Sequence, residues 1–288
     1  MYEVIVNPAA RNGQARQIGE EAERYLKEKQ VDFVIRYTEY PGHATELARD
    51  AANRGVETVI ATGGDGTVCE TAAGLVHTNT SLGIAPAGTG NDFIKTIGTP
   101  RNWKEALDFI LTHPARPVNT GEVNDRFFLN VCGGGFDVLT LTYALEAKKH
   151  VKGIWPYLYG VLRAIRTFKP FKMHIQVGDD LTLDKDCMIC TIANGRYIGG
   201  GIPIASMADV EDGLLDVLVV DAVPRWKIPF YLPSLMGGSL YKRKVAHHYR
   251  VKTCSLSSPG MMLNLDGEIL PIEESHYRIF TDALKVHW

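Results

Sequence analysis

Two glycine-rich segments in the first third of the chain place carboxylates where short apolar runs end. Residues 63–67 (Gly-Gly-Asp-Gly-Thr) follow the apolar run 58–61, and residues 86–92 (Pro-Ala-Gly-Thr-Gly-Asn-Asp) follow the run 82–85. Glycine lets a backbone approach a ligand closely, and the N-terminus of a following helix attracts anions. Because Asp65 would repel a bare phosphate, we expect a cation between the two. The segments therefore predict a nucleotide phosphate site that uses Mg²⁺.

Each carboxylate also has a structural alternative. Asp65 could serve only the chemistry of a tight turn, and Asp92 could be the N-cap of a helix that begins at Phe93. Two such segments after successive strands favour a ligand site, because ligands of open α/β sheets bind beyond the carboxyl ends of the strands.

Three further motifs accompany these segments, namely residues 7–13 (Asn-Pro-Ala-Ala-Arg-Asn-Gly), 38–44 (Thr-Glu-Tyr-Pro-Gly-His-Ala) and 266–268 (Asp-Gly-Glu). Together with residues 63–67 and 88–92, and in this order, they resemble the soluble lipid kinases related to diacylglycerol and sphingosine kinases. The resemblance covers nearly the whole chain. It implies a kinase that uses Mg²⁺ and transfers the γ-phosphoryl group of ATP to a lipid alcohol, diacylglycerol by default.

The resemblance also implies roles for particular residues. Those implied to contact the nucleotide are Asn7, Pro8, Ala9, Ala10, Arg11, Thr38, Gly63, Gly64, Asp65, Gly66, Thr67, Glu70, Gly88, Thr89 and Asn91. Asp65 and Asp92 are implied to hold the catalytic Mg²⁺, directly or through waters. A separate structural Mg²⁺ is implied at Asp212 and the backbone carbonyls of Asp209 and Leu214, with a solvated acidic turn as the alternative.

Asp266 and Glu268 follow the apolar run 261–263, and the resemblance implies that one of them is the catalytic base. A carboxylate is a weak base unless burial or a like charge raises its pKa, and two carboxylates on one turn would supply such a charge. Which of the two takes the proton of the lipid hydroxyl stays open. The alternative is a plain hairpin, because Asp-Gly is a common hairpin turn.

Two positions depart from the family pattern. Asn119 stands where the family usually has an acid, and an amide brings no negative charge to Mg²⁺. Arg11 stands where the family often has glycine. Asn119 keeps open a lipid- or nucleotide-binding regulator that has lost catalysis. A nicotinamide-nucleotide kinase, whose family shares the motif at residues 63–67, is disfavoured because its Thr-Gly-Ser-Thr motif does not occur in this sequence.

The fold class predicted by the element pattern is α/β plus β. Residues 1–120 alternate strands and helices, which predicts a mostly parallel α/β nucleotide-binding domain. Residues 121–288 contain many short strands and one helical segment near 138–168, which predicts a β-rich, sandwich-like domain. The resemblance implies that this domain binds the lipid substrate. The resemblance implies an active site in the cleft between these domains.

The composition of the chain argues against several classes of protein. The net charge of −2 over 288 residues argues against nucleic-acid binding. No stretch approaches the apolar length that a bilayer span requires. The five cysteines are odd in number and scattered, which favours a reduced, cytoplasmic compartment. Cys187 and Cys190 have Cys-x-x-Cys spacing without a second pair, so buried thiols are favoured over zinc.

Two segments combine basic and aromatic residues. Residues 139–173 carry seven basic residues and one acid, and residues 225–252 carry seven and none. Their aromatic residues include Trp155, Tyr157, Tyr159, Phe168, Trp226, Phe230, Tyr231 and Tyr241. This composition suits an anionic bilayer and predicts transient association with the inner face of the membrane. Solvated helix faces with core aromatics are the alternative, and a homodimer stays open.

Overall fold

The structure is a computed structural model that describes residues 1–148, 151 and 155–288. These residues form two compact units. The first comprises Met1–Thr120, Val210–Asp212 and Phe280–Trp288, and the second comprises the described residues of Gly121–Asp209 and Gly213–Ile279. Within the described residues, no helix is both long and apolar enough to cross a bilayer.

The first unit alternates strands and helices. Its strands are β1 (Tyr2–Val6), β2 (Phe33–Tyr37), β3 (Thr58–Gly63) and β4 (Ser81–Pro86). Its helices are α1 (Gln14–Glu28), α2 (His43–Asn53), α3 (Asp65–Leu75), α4 (Asp92–Ile97) and α5 (Trp103–Thr112). The four strands pair in parallel in the order β4-β3-β1-β2. The predicted parallel α/β fold is confirmed for this unit.

The apolar runs of the first unit form the centre of its sheet. Every residue of β3 and β4 is buried, as expected for parallel strands with both faces covered. Val6 of β1 and Ile60 of β3 share a core cluster with Leu26 of α1 and Leu107 of α5. The helices therefore cover the strands with the apolar stripe that their sequences predict.

The register of the sheet brings four loops to one edge. Val6 pairs with both Tyr37 and Thr62, and Gly63 pairs with Pro86. The carboxyl ends of β1, β2, β3 and β4 are therefore level with one another. Each of the four nucleotide motifs begins at this edge.

The second unit is built mainly from antiparallel strands. Those within it are β6 (Arg126–Phe128), β7 (Val131–Gly135), β8 (Phe171–Val177), β9 (Leu181–Ala193), β10 (Leu215–Asp221), β11 (Ala246–Val251), β12 (Thr253–Ser257), β13 (Met262–Leu265) and β14 (Glu268–Pro271). Two more strands, β5 (Ala115–Val123) and β15 (Glu274–His287), belong partly to each unit. The helices are α6 (Phe136–Lys148), α7 (Trp155–Thr167) and α8 (Ile228–Met236).

Strand β10 shows how the second unit is layered. Val217 and Val219 lie in a core formed mostly by strand residues, whereas Leu218 and Val220 lie in a second core with residues of α7 and α8. Successive side chains of a strand point to opposite faces, so both faces of β10 are buried. The predicted β-rich, sandwich-like class is confirmed, with helices covering one of the strand faces.

Two predicted strands are each divided in the structure. The predicted strand 127–131 becomes β6 and β7, because the intervening N–H groups donate to the carboxylate of Asp266. The predicted strand 250–256 becomes β11 and β12, because the chain leaves β10 after Val251 and then pairs with β15 from Thr253 and with β8 from Cys254. Periodicity does not reveal a change of pairing partner.

The predicted helical segment 138–168 becomes α6 and α7, and residues 149, 150 and 152–154 of it lie outside the described residues. Helix α8 was not predicted. Pro229 in its first turn and Pro233 in its interior interrupt the helical pattern in the sequence.

Asp137, in the first turn of α6, gives the unfolding free energy a specific pH dependence. Burial raises the pKa of its carboxyl to about 6. The folded protein therefore holds a proton between about pH 4 and pH 6 that the unfolded chain releases, so stability should fall as the pH rises through this window. Asp137→Asn should remove this slope and be more stable than wild type above pH 6, by up to about 3 kcal/mol.

Urea unfolding of both proteins across the acidic to neutral range measures this difference. Asp125→Asn is the control, because the Asp125 side chain is 97% exposed. Parallel pH profiles for wild type and Asp137→Asn would contradict the expectation.

Candidate active site

The loops that follow β1, β3 and β4 line a pocket of about 250 Å³ at the carboxyl edge of the first sheet. The lining residues are Asn7, Ala10, Arg11, Gly64, Asp65, Gly66, Thr67, Gly88, Thr89 and Gly90. All except Gly90 are residues for which the sequence predicts nucleotide contact. Gly90 lies within the glycine-rich segment 86–92, and that position is the sequence signal for its place in the pocket.

Asp65, the first residue of α3, joins the two glycine-rich loops. Its Oδ2 accepts a hydrogen bond from the backbone N–H of Asn91 at 2.7 Å, and its Oδ1 accepts one from the N–H of Asp92. Both contacts are with the loop that follows β4, whereas Asp65 itself follows β3. Its position is therefore set by β3 and α3, while it fixes the conformation of the chain that follows β4.

The electrostatics at Asp65 favour a cation. Burial and the nearby charge of Asp92 raise the pKa of the Asp65 carboxyl above its ordinary value, against the opposing effect of the two N–H hydrogen bonds. Two carboxylates near each other in a partly buried site repel, and a divalent cation would relieve that repulsion. The oxygen donors of Asp65 and Asp92 are also of the type that Mg²⁺ prefers.

Asp92 is the first residue of α4 rather than its N-cap. The N-cap position belongs to Asn91, whose backbone is left-handed with φ of 53°. The Asp92 side chain is 8% exposed and its Oδ1 lies 3.2 Å from the ammonium of Lys95. The N-cap alternative is therefore wrong, since the N-cap position of α4 is Asn91.

Asn7 connects the loop after β1 to the start of α3. Its Nδ2 donates to Thr67 Oγ1 at 3.0 Å, and its Oδ1 accepts the N–H of Ala9 at 3.1 Å. Thr67 is buried. The amide of Asn7 therefore orients the first loop and the first turn of α3 together, which makes the lining of the pocket one hydrogen-bonded assembly.

Glycine is required at positions 63 and 88, where other atoms approach the backbone closely. A Cβ at Gly88 would lie 2.4 Å from Gly64 Cα, and a Cβ at Gly63 would lie 2.4 Å from Thr67 Oγ1. Larger residues would therefore push the two loops apart or displace Thr67. Gly66 differs, because no atom lies within 4 Å of its Cβ position.

The other predicted nucleotide contacts are not among the lining residues. They are Pro8, Ala9, Thr38, Gly63, Glu70 and Asn91. Thr38 lies at the same sheet edge, where its N–H donates to the carbonyl of Val6 at 2.9 Å. Glu70 lies further along α3, and its backbone carbonyl accepts from Thr45 Oγ1 at 2.8 Å.

Asp266 and Gly267 form the turn of the hairpin between β13 and β14, in which Leu265 pairs with Glu268. Asp266 and Gly267 have φ angles of 47° and 103°, as two-residue turns of this kind require. The N–H of Gly267 donates to Asn264 Oδ1 at 2.8 Å. The hairpin alternative is thus correct as local structure, and it does not exclude a catalytic role.

The Asp266 carboxylate accepts three backbone N–H groups. Its Oδ2 accepts from Leu129 at 2.6 Å, and its Oδ1 accepts from Asn130 at 3.0 Å and Val131 at 2.9 Å. The carbonyl of Leu129 in turn accepts a hydrogen bond from the Asn194 side chain at 2.7 Å. These N–H dipoles balance the charge of Asp266 and tie the hairpin turn to the start of β7. Glu268, by contrast, is exposed at the start of β14.

The remaining predicted metal residues lie on the chain between β9 and β10. Asp209 is exposed, whereas Asp212 and Leu214 are half-buried. In the described part of the chain, no group of three or more His, Cys, Asp or Glu side chains could hold a metal ion. Mg²⁺ coordination here and at Asp65 stays a prediction. Asn119 is buried on β5, and its N–H donates to the carbonyl of Val210 at 2.6 Å.

The Cys-x-x-Cys pair lies inside the strand core of the second unit. Cys187 and Cys190 are both buried free thiols on β9. Burial raises the pKa of the Cys187 thiol to about 11. These properties are those of the buried thiols that the sequence predicts.

Comparisons with known proteins agree with this architecture. Residues 2–123 match the family model "Diacylglycerol kinase catalytic domain", and residues 130–288 match "YegS C-terminal NAD kinase beta sandwich-like domain". A protein of Pseudomonas putida described as "Probable lipid kinase YegS-like" is 33% identical over 88% of this chain and 84% of its own length. An Enterobacter relative with the same description is 32% identical over 90% of this chain and 86% of its own.

Solved structures share the fold. One from Bacillus anthracis strain Sterne has a TM-score of 0.80 at 26% identity and covers 100% of this chain and 96% of that chain. Fold and site define a phosphotransferase with an α/β catalytic domain followed by a β-sandwich-like domain. The chain belongs to the family of YegS-like lipid kinases with a diacylglycerol kinase catalytic domain.

The contact between Gly88 and Gly64 yields a stability prediction. Gly88→Ala should lower the free energy of unfolding by about 1–3 kcal/mol, because the added methyl group forces the two loops apart. Gly66→Ala is the matched control, and it should be neutral or stabilising by about 0.5–1 kcal/mol, because alanine favours the helix. Urea unfolding of both variants provides the measurement. Equal effects of the two substitutions would contradict the close approach.

Proposed function

We propose that this lipid kinase transfers the γ-phosphoryl group of ATP to the hydroxyl of a lipid alcohol, with diacylglycerol as the default acceptor and Mg²⁺ as the required ion. The observation that carries the proposal is the pocket in which the Asp65 carboxylate joins two glycine-rich loops at the sheet edge. Phosphoryl transfer depends mainly on positioning and on charge neutralisation. The pocket offers both.

Backbone N–H groups, rather than many cationic side chains, would bind the phosphates. The glycines of both loops allow close approach, and residues 64–67, at the N-terminus of α3, line the pocket. Arg11 is the cationic side chain among the lining residues. The departure from the family at this position therefore adds positive charge where the phosphates would lie.

Asp65 and Asp92 would hold Mg²⁺, directly or through waters. The raised pKa of the Asp65 carboxyl, which burial and Asp92 cause, supports this assignment. When bound, the ion supplies charge neutralisation for the phosphates. Asp212 with the carbonyls of Asp209 and Leu214 would hold the second, structural ion.

Glu268 is the better candidate for the base that takes the proton of the lipid hydroxyl. Asp266 already accepts three N–H groups, so its oxygens are oriented toward the backbone. Glu268 follows it by two residues on the same hairpin and is exposed. We assign Asp266 to positioning and Glu268 to proton acceptance.

A second candidate is a regulator that binds lipid or nucleotide without turnover. Asn119, buried on β5, is the feature that favours it, because the family usually has an acid there. Transfer of label from γ-labelled ATP to a panel of lipid alcohols in mixed micelles separates the two functions. Label on one lipid supports the kinase and identifies the acceptor. ATP binding without any labelled lipid supports the regulator.

The assignment of the base predicts different defects in two variants. Glu268→Gln should lower kcat by about 10²–10⁴-fold, because general-base catalysis contributes that much, and should leave ATP affinity and stability unchanged. Asp266→Asn should lower the free energy of unfolding by about 1–3 kcal/mol, because it places amide N–H groups against backbone N–H groups.

Steady-state kinetics, nucleotide titration and urea unfolding of both variants test the assignment. Asp125→Asn, on an exposed turn, is the control for a neutralised carboxylate. The assignment fails if Asp266→Asn folds with full stability and loses turnover while Glu268→Gln keeps it.

Asp65 provides a test of the ion. Wild-type protein should bind ATP more tightly with Mg²⁺ than without it, and Asp65→Asn should lose most of this difference, because the amide cannot balance the charge of the ion. Calorimetric titration with ATP in Mg²⁺ or in EDTA measures both affinities. An undiminished Mg²⁺ effect in the variant would remove Asp65 from the ion site.

A further inference from the structure

Helix α7 exposes large apolar side chains along one face. Trp155, Leu158, Tyr159 and Leu162 recur at the spacing of one helix side and are exposed by 64%, 45%, 46% and 57%. Singly exposed apolar residues are ordinary, but a stripe of four that includes a Trp and a Tyr indicates an interaction site.

The opposite face of α7 already supplies the packing of the helix. Pro156, Gly160 and Ala164 are its buried residues. A Cβ at Gly160 would lie 2.5 Å from the carbonyl oxygen of Thr140, so α6 and α7 are in close backbone contact. The exposed stripe is therefore not needed to hold α7 in the second unit.

A second exposed pair lies on the short turn before α8 and on α8 itself. Trp226 is 67% exposed and Phe230 is 71% exposed, with ring centroids 6.4 Å apart. Ile228, between them in sequence, is buried. As on α7, one side of the element packs inward while aromatic residues point outward.

The two elements are joined. The Nε of Arg225 donates to the carbonyl oxygen of Phe168, just beyond the end of α7, at 2.9 Å. Ala164, Phe168 and Ile228 lie in one core cluster. Phe168 is thus a core aromatic, as the alternative for this segment supposed, whereas Trp155, Trp226 and Phe230 are not.

The charged side chains that residues 155–173 and 225–252 themselves carry are all basic. Arg166, Lys169 and Lys227 are exposed, and Lys227 Nζ lies 5.2 Å from the Trp226 ring centroid. The sequence contains no acid from 155 to 173 or from 225 to 252. Of the flanking carboxylates, Glu146 pairs with Arg163, and Asp221 pairs with Lys185. A binding partner whose charge complements this surface is anionic.

We propose that Trp155, Leu158, Tyr159, Leu162, Trp226 and Phe230, here called the aromatic surface, insert into the headgroup region of an anionic bilayer. Aromatic and aliphatic side chains enter the interface, while Arg166, Lys169 and Lys227 bind the lipid headgroups. The proposal rests on the proposed function in one respect, because it supplies the route by which the enzyme reaches a lipid held in a membrane. The binding itself does not require turnover.

Vesicle sedimentation without ATP tests the aromatic surface directly. Wild-type protein should sediment with an equimolar mixture of phosphatidylcholine and phosphatidylglycerol, and much less with phosphatidylcholine alone. Trp226→Ser with Phe230→Ser should weaken binding to the anionic vesicles by about tenfold or more, because binding scales with the buried apolar area. The double substitution Arg166→Glu with Lys227→Glu should also weaken binding to the anionic vesicles, and the loss should be larger at low salt than at high salt.

Val34→Ser, at a residue 38% exposed in the first unit, is the apolar control, and Lys104→Glu is the control for charge. Thermal unfolding shows whether each variant remains folded. Turnover of a short-chain, monomeric lipid alcohol should be unchanged by the Trp226 and Phe230 substitutions, while turnover of the same headgroup in vesicles falls. If no lipid alcohol is phosphorylated, the proposed function fails while the sedimentation result still decides the surface.

Two results would overturn the proposal. One is equal sedimentation of wild type and the Trp226 and Phe230 variant with anionic vesicles. The other is a wild-type dimer that these substitutions convert to a monomer without any change in vesicle binding, which would make the aromatic surface an interface between two copies of the chain.

Discussion

The hydrogen bonds from the Asp65 carboxylate to the N–H groups of Asn91 and Asp92 are the interaction on which the nucleotide pocket depends. They connect two loops that also share the register of β3 with β4, the hydrogen bond from the N–H of Ala87 to the carbonyl of Gly63, and the close approach of Gly64 to Gly88. Burial makes the carboxylate costly as a charge, and the N–H groups offset part of that cost. The residual negative charge is what suits the site to a cation.

In the second unit, too, an aspartate accepts backbone N–H groups from a distant segment of the chain. Asp266 accepts N–H groups where the chain passes from β6 to β7, and so holds a hairpin whose other carboxylate, Glu268, is exposed. In both places an aspartate accepts backbone N–H groups and so organises the backbone of another segment. A second carboxylate lies near each of them, Asp92 in the first unit and Glu268 on the hairpin of the second. In each unit, one carboxylate organises the backbone, and a second carboxylate near it adds further negative charge.

Much of the first unit could be predicted from the sequence, because its strands are continuous apolar runs and its loops carry glycine at the points of closest approach. Gly90 is absent from the predicted nucleotide contacts, and the N-cap alternative for Asp92 does not hold, because Asn91 occupies the N-cap position. A capping residue and its neighbour have the same local composition, so only backbone angles separate them.

The second unit was predicted less completely for a physical reason. Its strands change pairing partners within a run, as at Val251 and Thr253, and apolar alternation is unaffected by which strand lies alongside. The separation of Asp266 from Glu268 in role also depends on N–H groups more than a hundred residues earlier, at 129–131. Spacing within a motif cannot report such a contact.

Strand β15 has a consequence for how the protein is made. Its residues Lys285 and Val286 pair in parallel with Ser81 and Leu82 and cover the outer edge of β4. An uncovered strand edge recruits other chains. The catalytic sheet is therefore synthesised long before the segment that seals it, and during that interval the nascent chain carries an open β-edge beside its own nucleotide loops.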